Sequence, residues 1–389
     1  MPDFDPLSPS MISDPFSTYA KLRESEPVFW SERLGSWVLT RYEDCRSVLS
    51  NTDIFASDWR RAGFDEVGPV ASMQELDPPE HVPIRRLFTT AFRARDLTAI
   101  GRRALALTES IVAGLAPGAA FDFTADVARP VALDAVCALL GIDPPPAHTF
   151  APLADALVRG MDAGLLPEVL EPAMAARAEL NDLIAGWFAG SGDGGLLAQV
   201  LAGADAIDVS QEAVWNSARV LFLAGFSTTV GAAANAVLAL LHDPEAQQRM
   251  RDPELLESGV DELMRYDGPV QGTSRACVED VTIGEVGVRR GQLVLPLFAA
   301  ANRDPQRFPR PDDLVLDRRP NQHLALGWGP HSCSGAMLAR IVLRALIRGL
   351  WRGSAWLRLA GDPERVPRAT LRYPDRLPVV HTETWSPYP

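Results

Sequence analysis

The sequence holds one lysine, Lys21, against 36 arginines. That bias points to a GC-rich genome rather than to a function. Its 37 basic and 50 acidic residues leave a formal charge of −13. Such an acid excess argues against nucleic acid or an anionic membrane as the main partner. Cysteine is scarce as well. Cys45, Cys137, Cys277 and Cys333 lie far apart, so no CxxC zinc or redox pair exists. Four cysteines are too few for a disulfide-stapled secreted scaffold. The first fourteen residues, MPDFDPLSPSMISD, contain neither a basic residue nor an apolar core. A signal peptide or membrane anchor needs both, so a soluble, cytoplasmic setting is expected. No internal repeat is evident. The run GSGDGG at 190–195 lacks the Lys-Ser/Thr ending of a phosphate loop and is expected to link two helices.

What is present is ordinary for a globular protein. Apolar residues make up 47 % and charged residues 22 %, which rules out a largely disordered chain. A length of 389 residues admits two or three average domains or one large one. Apolar residues recur at helical spacing over 16–25, 97–115, 130–140, 173–189 and 253–266. Short strand-like runs occur at 28–30, 36–40, 281–283, 293–297 and 377–381. The longest helical stretch, about 212–241, is apolar on nearly every side and long enough to cross a membrane. However, Asn216, Arg219, Ser227, Thr228, Thr229 and Asn235 are spread along it, and no basic flank orients it. It reads as the buried central helix of a large domain. The expected fold class is mainly α with small β-sheets (α+β), in one domain over 1–389.

Residues 326–340, LGWGPHSCSGAMLAR, carry the chemistry. Gly327, Gly329 and Gly335 bracket Cys333, and an apolar helical run follows at once. A cysteine just before a helix start has its thiolate favoured by the helix dipole and free N–H groups. Glycines let the backbone approach something large and flat. A cysteine thiolate is one of the few protein ligands for heme iron, and it promotes O–O cleavage. Cys45 and Cys137 in apolar helical runs, and Cys277 in a strand-like run, read instead as small core residues.

This loop resembles that of the cytochrome P450 family, whose signature is Phe-Gly-x-Gly-x-His-x-Cys-x-Gly. Residues 326–335 match every fixed position except the first, where Leu326 stands for Phe. Further family-like motifs follow the same order along the chain. The resemblance implies heme b held by Cys333, between the long central helix and the helix after the cysteine loop. In DPPEHVPIRR at 77–86, His81 and Arg85 share a helical face and would meet heme propionates, as would Arg275 and His331. ELMR at 262–265, with the meander-like 301–318, implies a structural cluster of Glu262, Arg265 and Arg318. AGFSTT at 224–229 resembles the oxygen-binding stretch. There Ala224 and Gly225 would leave room for oxygen, and Thr228 would hydrogen-bond it. Ser227 departs from the family, which has an acid there. A serine cannot relay protons by changing its ionisation near neutral pH.

The implied reaction is dioxygen-dependent oxidation of a small organic molecule, by hydroxylation or oxidative coupling. Electrons would come from NAD(P)H through a separate ferredoxin or flavodoxin, with no fused reductase. Arg340, Arg344, Arg348 and Arg352 recur every four residues with no acid among them, and form an expected docking row. Substrate contacts are expected from 58–74, 157–170, 223–228 and 269–274, with Trp59, Phe64 and Met161 giving apolar surface. Arg60 and Arg61 could meet a carboxylate, though exposed arginines are the plainer reading. Ser227 leaves a peroxide-driven variant as an alternative, and a non-catalytic heme sensor is a third.

Overall fold

A sequence apolar all round its 3.6-residue period can form a helix only if other elements cover every side. The computed structural model describes residues 4–64, 72–116, 118–190, 195–204, 209–351 and 356–382. In it the central helix runs over Gln211–His242, started by Ser210, whose hydroxyl accepts the Ala213 N–H at 3.2 Å. Its most apolar window passes the length and hydropathy test of a membrane span, yet 67 % of that window is buried. Helices Arg129–Leu140, Leu170–Ala189, Leu256–Asp267 and Ala336–Leu350 pack against it. The expected helices 16–25, 97–115, 130–140, 173–189 and 253–266 all appear with small shifts at their ends. Helix Ala147–Gly160 has no expected counterpart. Pro152 lies inside it, and an interior proline reads as a breaker because it removes a backbone donor. Within the 190–195 run, residues 191–194 lie outside the described residues.

The strands form small sheets beside the helices. Val28–Ser31 pairs antiparallel with Ser36–Leu39, which lies parallel to Leu293–Pro296. Arg275–Cys277 pairs antiparallel with Leu293–Pro296, and Phe55–Ala56 closes that sheet. Pro378–Thr382 lies between Ala120–Asp122 and Trp356–Leu359 in a second sheet. This placement matters because it fixes the start of strand Arg275–Cys277, and with it Arg275. Cys45, Cys137 and Cys277 have no exposed surface. Burial pushes the Cys137 thiol up to about 12 and that of Cys277 to about 11, so they are inert core residues.

The expected Glu–Arg–Arg cluster is present. Glu262 accepts from Arg265 Nε at 2.7 Å and Nη2 at 2.8 Å, and from Arg318 Nε at 3.0 Å to each oxygen. Asn321 Nδ2 and the Val315 N–H complete its shell. The arginines spend their other donors on the carbonyls of Asn302, Pro309, Arg310, Pro311 and Asp313. The carboxylate thus organises an irregular segment by its backbone. Replacing Glu262 by Ala strands two buried guanidinium groups, and is expected to cost about 3–5 kcal/mol. Chemical unfolding of the variant measures this; a loss below about 1 kcal/mol would contradict the account.

Candidate active site

The cysteine loop is closed by its own backbone. The Cys333 N–H donates to the Leu326 carbonyl at 2.8 Å, and the Gly327 N–H to Leu324 at 2.9 Å. The Phe-to-Leu departure leaves this backbone role intact. Gly327 and Gly329 have φ of +69° and +71°. A Cβ on Gly329 would also lie 2.4 Å from the Leu49 carbonyl oxygen, so only glycine fits there. Gly335 caps helix Ala336–Leu350, and its N–H donates to the Cys333 sulfur. Cys333 is the one exposed cysteine of the four. The residue opens outward while protein atoms crowd its sulfur. Desolvation therefore raises the thiol pKa, and the Gly335 N–H, Arg85 and Arg340 act against that rise.

His81 opens helix His81–Arg93 and is buried. Its ring lies against that of His331, with centroids 4.5 Å apart. His81 Nε2 is buried and has no hydrogen-bond partner. Burial, His331 and Arg85 together lower its pKa to about 4. His331 Nε2 lies 3.1 Å from Asp77 Oδ1. Arg85 Nη2 donates to the Ser332 carbonyl. Arg275 is buried, and its Nη1 donates to Thr273 Oγ1 at 3.1 Å and to the Ser274 carbonyl at 2.8 Å. Burial pushes its pKa down to about 10, with Asp77 acting the other way. The four residues expected near propionates thus surround one region, but His331 is engaged by an acid that sequence reasoning did not single out.

On the central helix, Ala224 is exposed and Thr228, one turn on, is half-buried. Thr228 Oγ1 donates to the Ala224 carbonyl at 2.5 Å, which commits its proton within the helix. Ser227 is buried, and its hydroxyl has no partner among the described residues. Gly225 does not serve as expected. A Cβ there would meet Val136 Cγ2 at 2.9 Å, so its small size allows the crossing with helix Arg129–Leu140.

The arginine row also needs correction. Arg340 Nε is held by Asp261 at 2.7 Å. Arg344 is half-buried and Arg348 exposed, and neither has an ion-pair partner among the described residues. Arg352 lies outside the described residues. Sequence reading missed Arg86 and Arg93, both exposed on helix His81–Arg93. With Val82, Thr90 and Pro330 of the cysteine loop they line a cleft of about 600 Å³. Their spacing along the helix was the available signal. Among the expected substrate residues, Trp59 and Phe64 pack together with ring centroids 5.5 Å apart. Met161 is 48 % exposed. Arg60 pairs with Asp58 and Arg61 with Asp77, so neither awaits a carboxylate. Residues 65–71 of the 58–74 segment lie outside the described residues.

These residues fit a heme. An accessible cysteine sits on a glycine loop, and a buried ring nitrogen and a buried guanidinium lie near by with hydrogen-bonding capacity in hand. His81 also gives a pH dependence. Its folded pKa is depressed, so the unfolded state takes up its proton first. Its contribution to stability is present above the unfolded value of 6.5 and is lost as pH falls toward about 4. In the heme-free protein, a His81→Gln variant is therefore expected to lose less stability over that window than wild type, in unfolding curves at stepped pH. Equal slopes would refute this.

Comparisons with known proteins agree with this geometry. Residues 196–350 match the family model described as Cytochrome P450. The chain is 32 % identical to "Cytochrome P450 107B1" of Saccharopolyspora erythraea, covering 94 % of this chain and 93 % of that protein. It is 34 % identical to "Mycinamicin IV hydroxylase/epoxidase" of Micromonospora griseorubida, covering 93 % and 94 %. The solved structure of epothilone D-bound cytochrome P450epoK superposes with a TM-score of 0.87 at 26 % identity, covering 98 % of this chain and 99 % of that one. Likeness of this extent, in sequence and in fold, means that the chain belongs to the cytochrome P450 family, oxidoreductases that bind heme b and draw on NAD(P)H through redox partners.

Proposed function

We propose that the chain is a single heme domain acting as a cytoplasmic monooxygenase, with Cys333 as the iron ligand. Its substrate is a small organic molecule of specialised metabolism, and the proposed reaction is hydroxylation. The observation that carries this is the position of Cys333: exposed, on a glycine loop at a helix start, with the Gly335 N–H on its sulfur. The names of relatives, such as a hydroxylase/epoxidase, support the reaction class. Bound there, heme supplies activation of dioxygen, one atom passing to substrate and the other to water.

The protein's own residues supply the rest. The helix start and the Gly335 N–H favour an anionic sulfur. His81 and Arg275 hold the propionates, and Arg85 braces the loop through the Ser332 carbonyl. Ala224 keeps the helix face low where oxygen and substrate meet. The Thr228 hydroxyl, its proton given to Ala224, offers its lone pairs to a donor on the open side. A ferredoxin or flavodoxin docks on the cysteine side, where Arg86 and Arg93 line a cleft with exposed Val82, and Arg344 and Arg348 lie on helix Ala336–Leu350.

A carbon monoxide difference spectrum of the reduced protein tests the ligand. Wild type is expected to give the thiolate-type band, and Cys333→Ala to lose it. Ser227, with no ionisable group and no partner, favours a second reading in which peroxide replaces dioxygen and electrons. Turnover with ferredoxin, reductase and NADH supports the first reading. Turnover with hydrogen peroxide alone supports the second. The two hydroxyls also separate by variant. Thr228→Ala is expected to raise NADH use per product several-fold, on the order of 2–5 times, through loss of a hydrogen-bonding group at the open face. Ser227→Ala is expected to leave that ratio unchanged. The reverse pattern would reassign the roles.

A further inference from the structure

Asp77 is an acid that the motif reading passed over, and it lies at the centre of the histidine and arginine group. The residue is 2 % exposed. Its Oδ1 meets His331 Nε2 at 3.1 Å, and its Oδ2 accepts from the Asp58 N–H at 3.0 Å and Arg61 Nη1 at 3.1 Å. Burial pushes its carboxyl up, but the bonds from His331 and from the backbone of Asp58 and Ser57 outweigh this and hold it below the usual range. Asp77 is therefore a charged group in the interior. It does not cap the helix that follows, because its backbone carbonyl, not its carboxylate, accepts the His81 N–H at 2.9 Å. The carboxylate spends its bonds on His331 of the cysteine loop and on Asp58 and Arg61.

A buried anion is costly unless its donors are fixed. In return it fixes them. His331 is turned so that Nε2 faces Asp77, and the other face of its ring lies against His81, 4.5 Å between centroids. His81 Nε2 is left buried with no hydrogen-bond partner among the described residues. We infer that Asp77 is a positioning residue for the heme: it locks the His331 ring through Nε2, which in turn sets His81, so that His331 Nδ1, His81 and Arg275 are held in place for the propionates. This rests on the reading of Cys333 and His81 as heme-holding residues.

The test uses the full-length holoprotein. Heme loss is measured by transfer to apomyoglobin, and the ferric/ferrous midpoint potential by spectroelectrochemical titration. Asp77→Asn keeps the shape and removes the charge. It is expected to speed heme loss by about tenfold, as loss of an outer-shell partner does. It is also expected to move the potential positive, because an anion near the iron stabilises the ferric state. A merely structural aspartate would not shift the potential. His331→Gln leaves Asp77 its backbone and Arg61 donors and so retains the fold if Asp77→Asn does not. It is expected to speed heme loss to a similar extent, and the double variant to be no worse than the faster single. Wild-type heme retention in His331→Gln, or a wild-type potential in Asp77→Asn, overturns the inference. A wild-type protein without a thiolate-type carbon monoxide band would instead overturn the Cys333 reading on which it rests.

Discussion

The structure depends on where one helix puts two neighbouring acids. Glu262 and Asp261 are consecutive in helix Leu256–Asp267 and therefore point about 100° apart. Glu262 turns inward to Arg265 and Arg318, whose remaining donors gather the carbonyls of 302–313. Asp261 faces Arg340 at 2.7 Å, with His323 Nε2 at 3.6 Å. One acid thus fixes the segment that enters the cysteine loop, and its neighbour holds the helix that leaves it. A fully buried carboxylate with two arginines gains little net stability over an apolar packing, but it cannot be partly dismantled without a large loss. That makes it suited to holding a loop in one geometry. Cys333 stands between the two anchored ends.

Much of this was legible in the sequence where spacing is local. The Glu262–Arg265 pair is three residues apart on a helix, and the glycine loop is a contiguous run. The central helix was legible because nearly every face of it is apolar. Contacts across the fold were not. Asp77 and His331 are 254 residues apart, and nothing local to either marks the pair. Arg340 looked like part of a free basic row because Asp261, 79 residues earlier, is invisible to helical spacing. Gly225 was read for the space it leaves, when its backbone serves close approach to Val136. A small residue in a helix can face a ligand or another helix, and only packing distinguishes the two. Helix Ala147–Gly160 was hidden by Pro152, since propensity is a weak prior against tertiary packing.

The basic surface makes the same point about charge. A formal −13 describes the whole chain and not its faces. Pairing removes Arg340 from the cysteine side, while helix His81–Arg93 contributes Arg86 and Arg93 there. Exposed or half-buried arginines therefore lie on two helices, rather than in one row.

The serine at 227 follows from its surroundings. The position is 3 % exposed, and even its hydroxyl finds no partner. An unpartnered buried hydroxyl costs about 1–3 kcal/mol, whereas an unpaired carboxylate costs several more or stays protonated. An acid placed there without other changes would have its pKa raised by burial. A working relay at this position would need donors to the carboxylate as well as the carboxylate itself. The open face differs. Thr228 is half-buried, with its own proton already committed to Ala224 and its lone pairs available. Ser227 therefore brings no group that ionises near neutral pH, while Thr228 brings lone pairs on the open face.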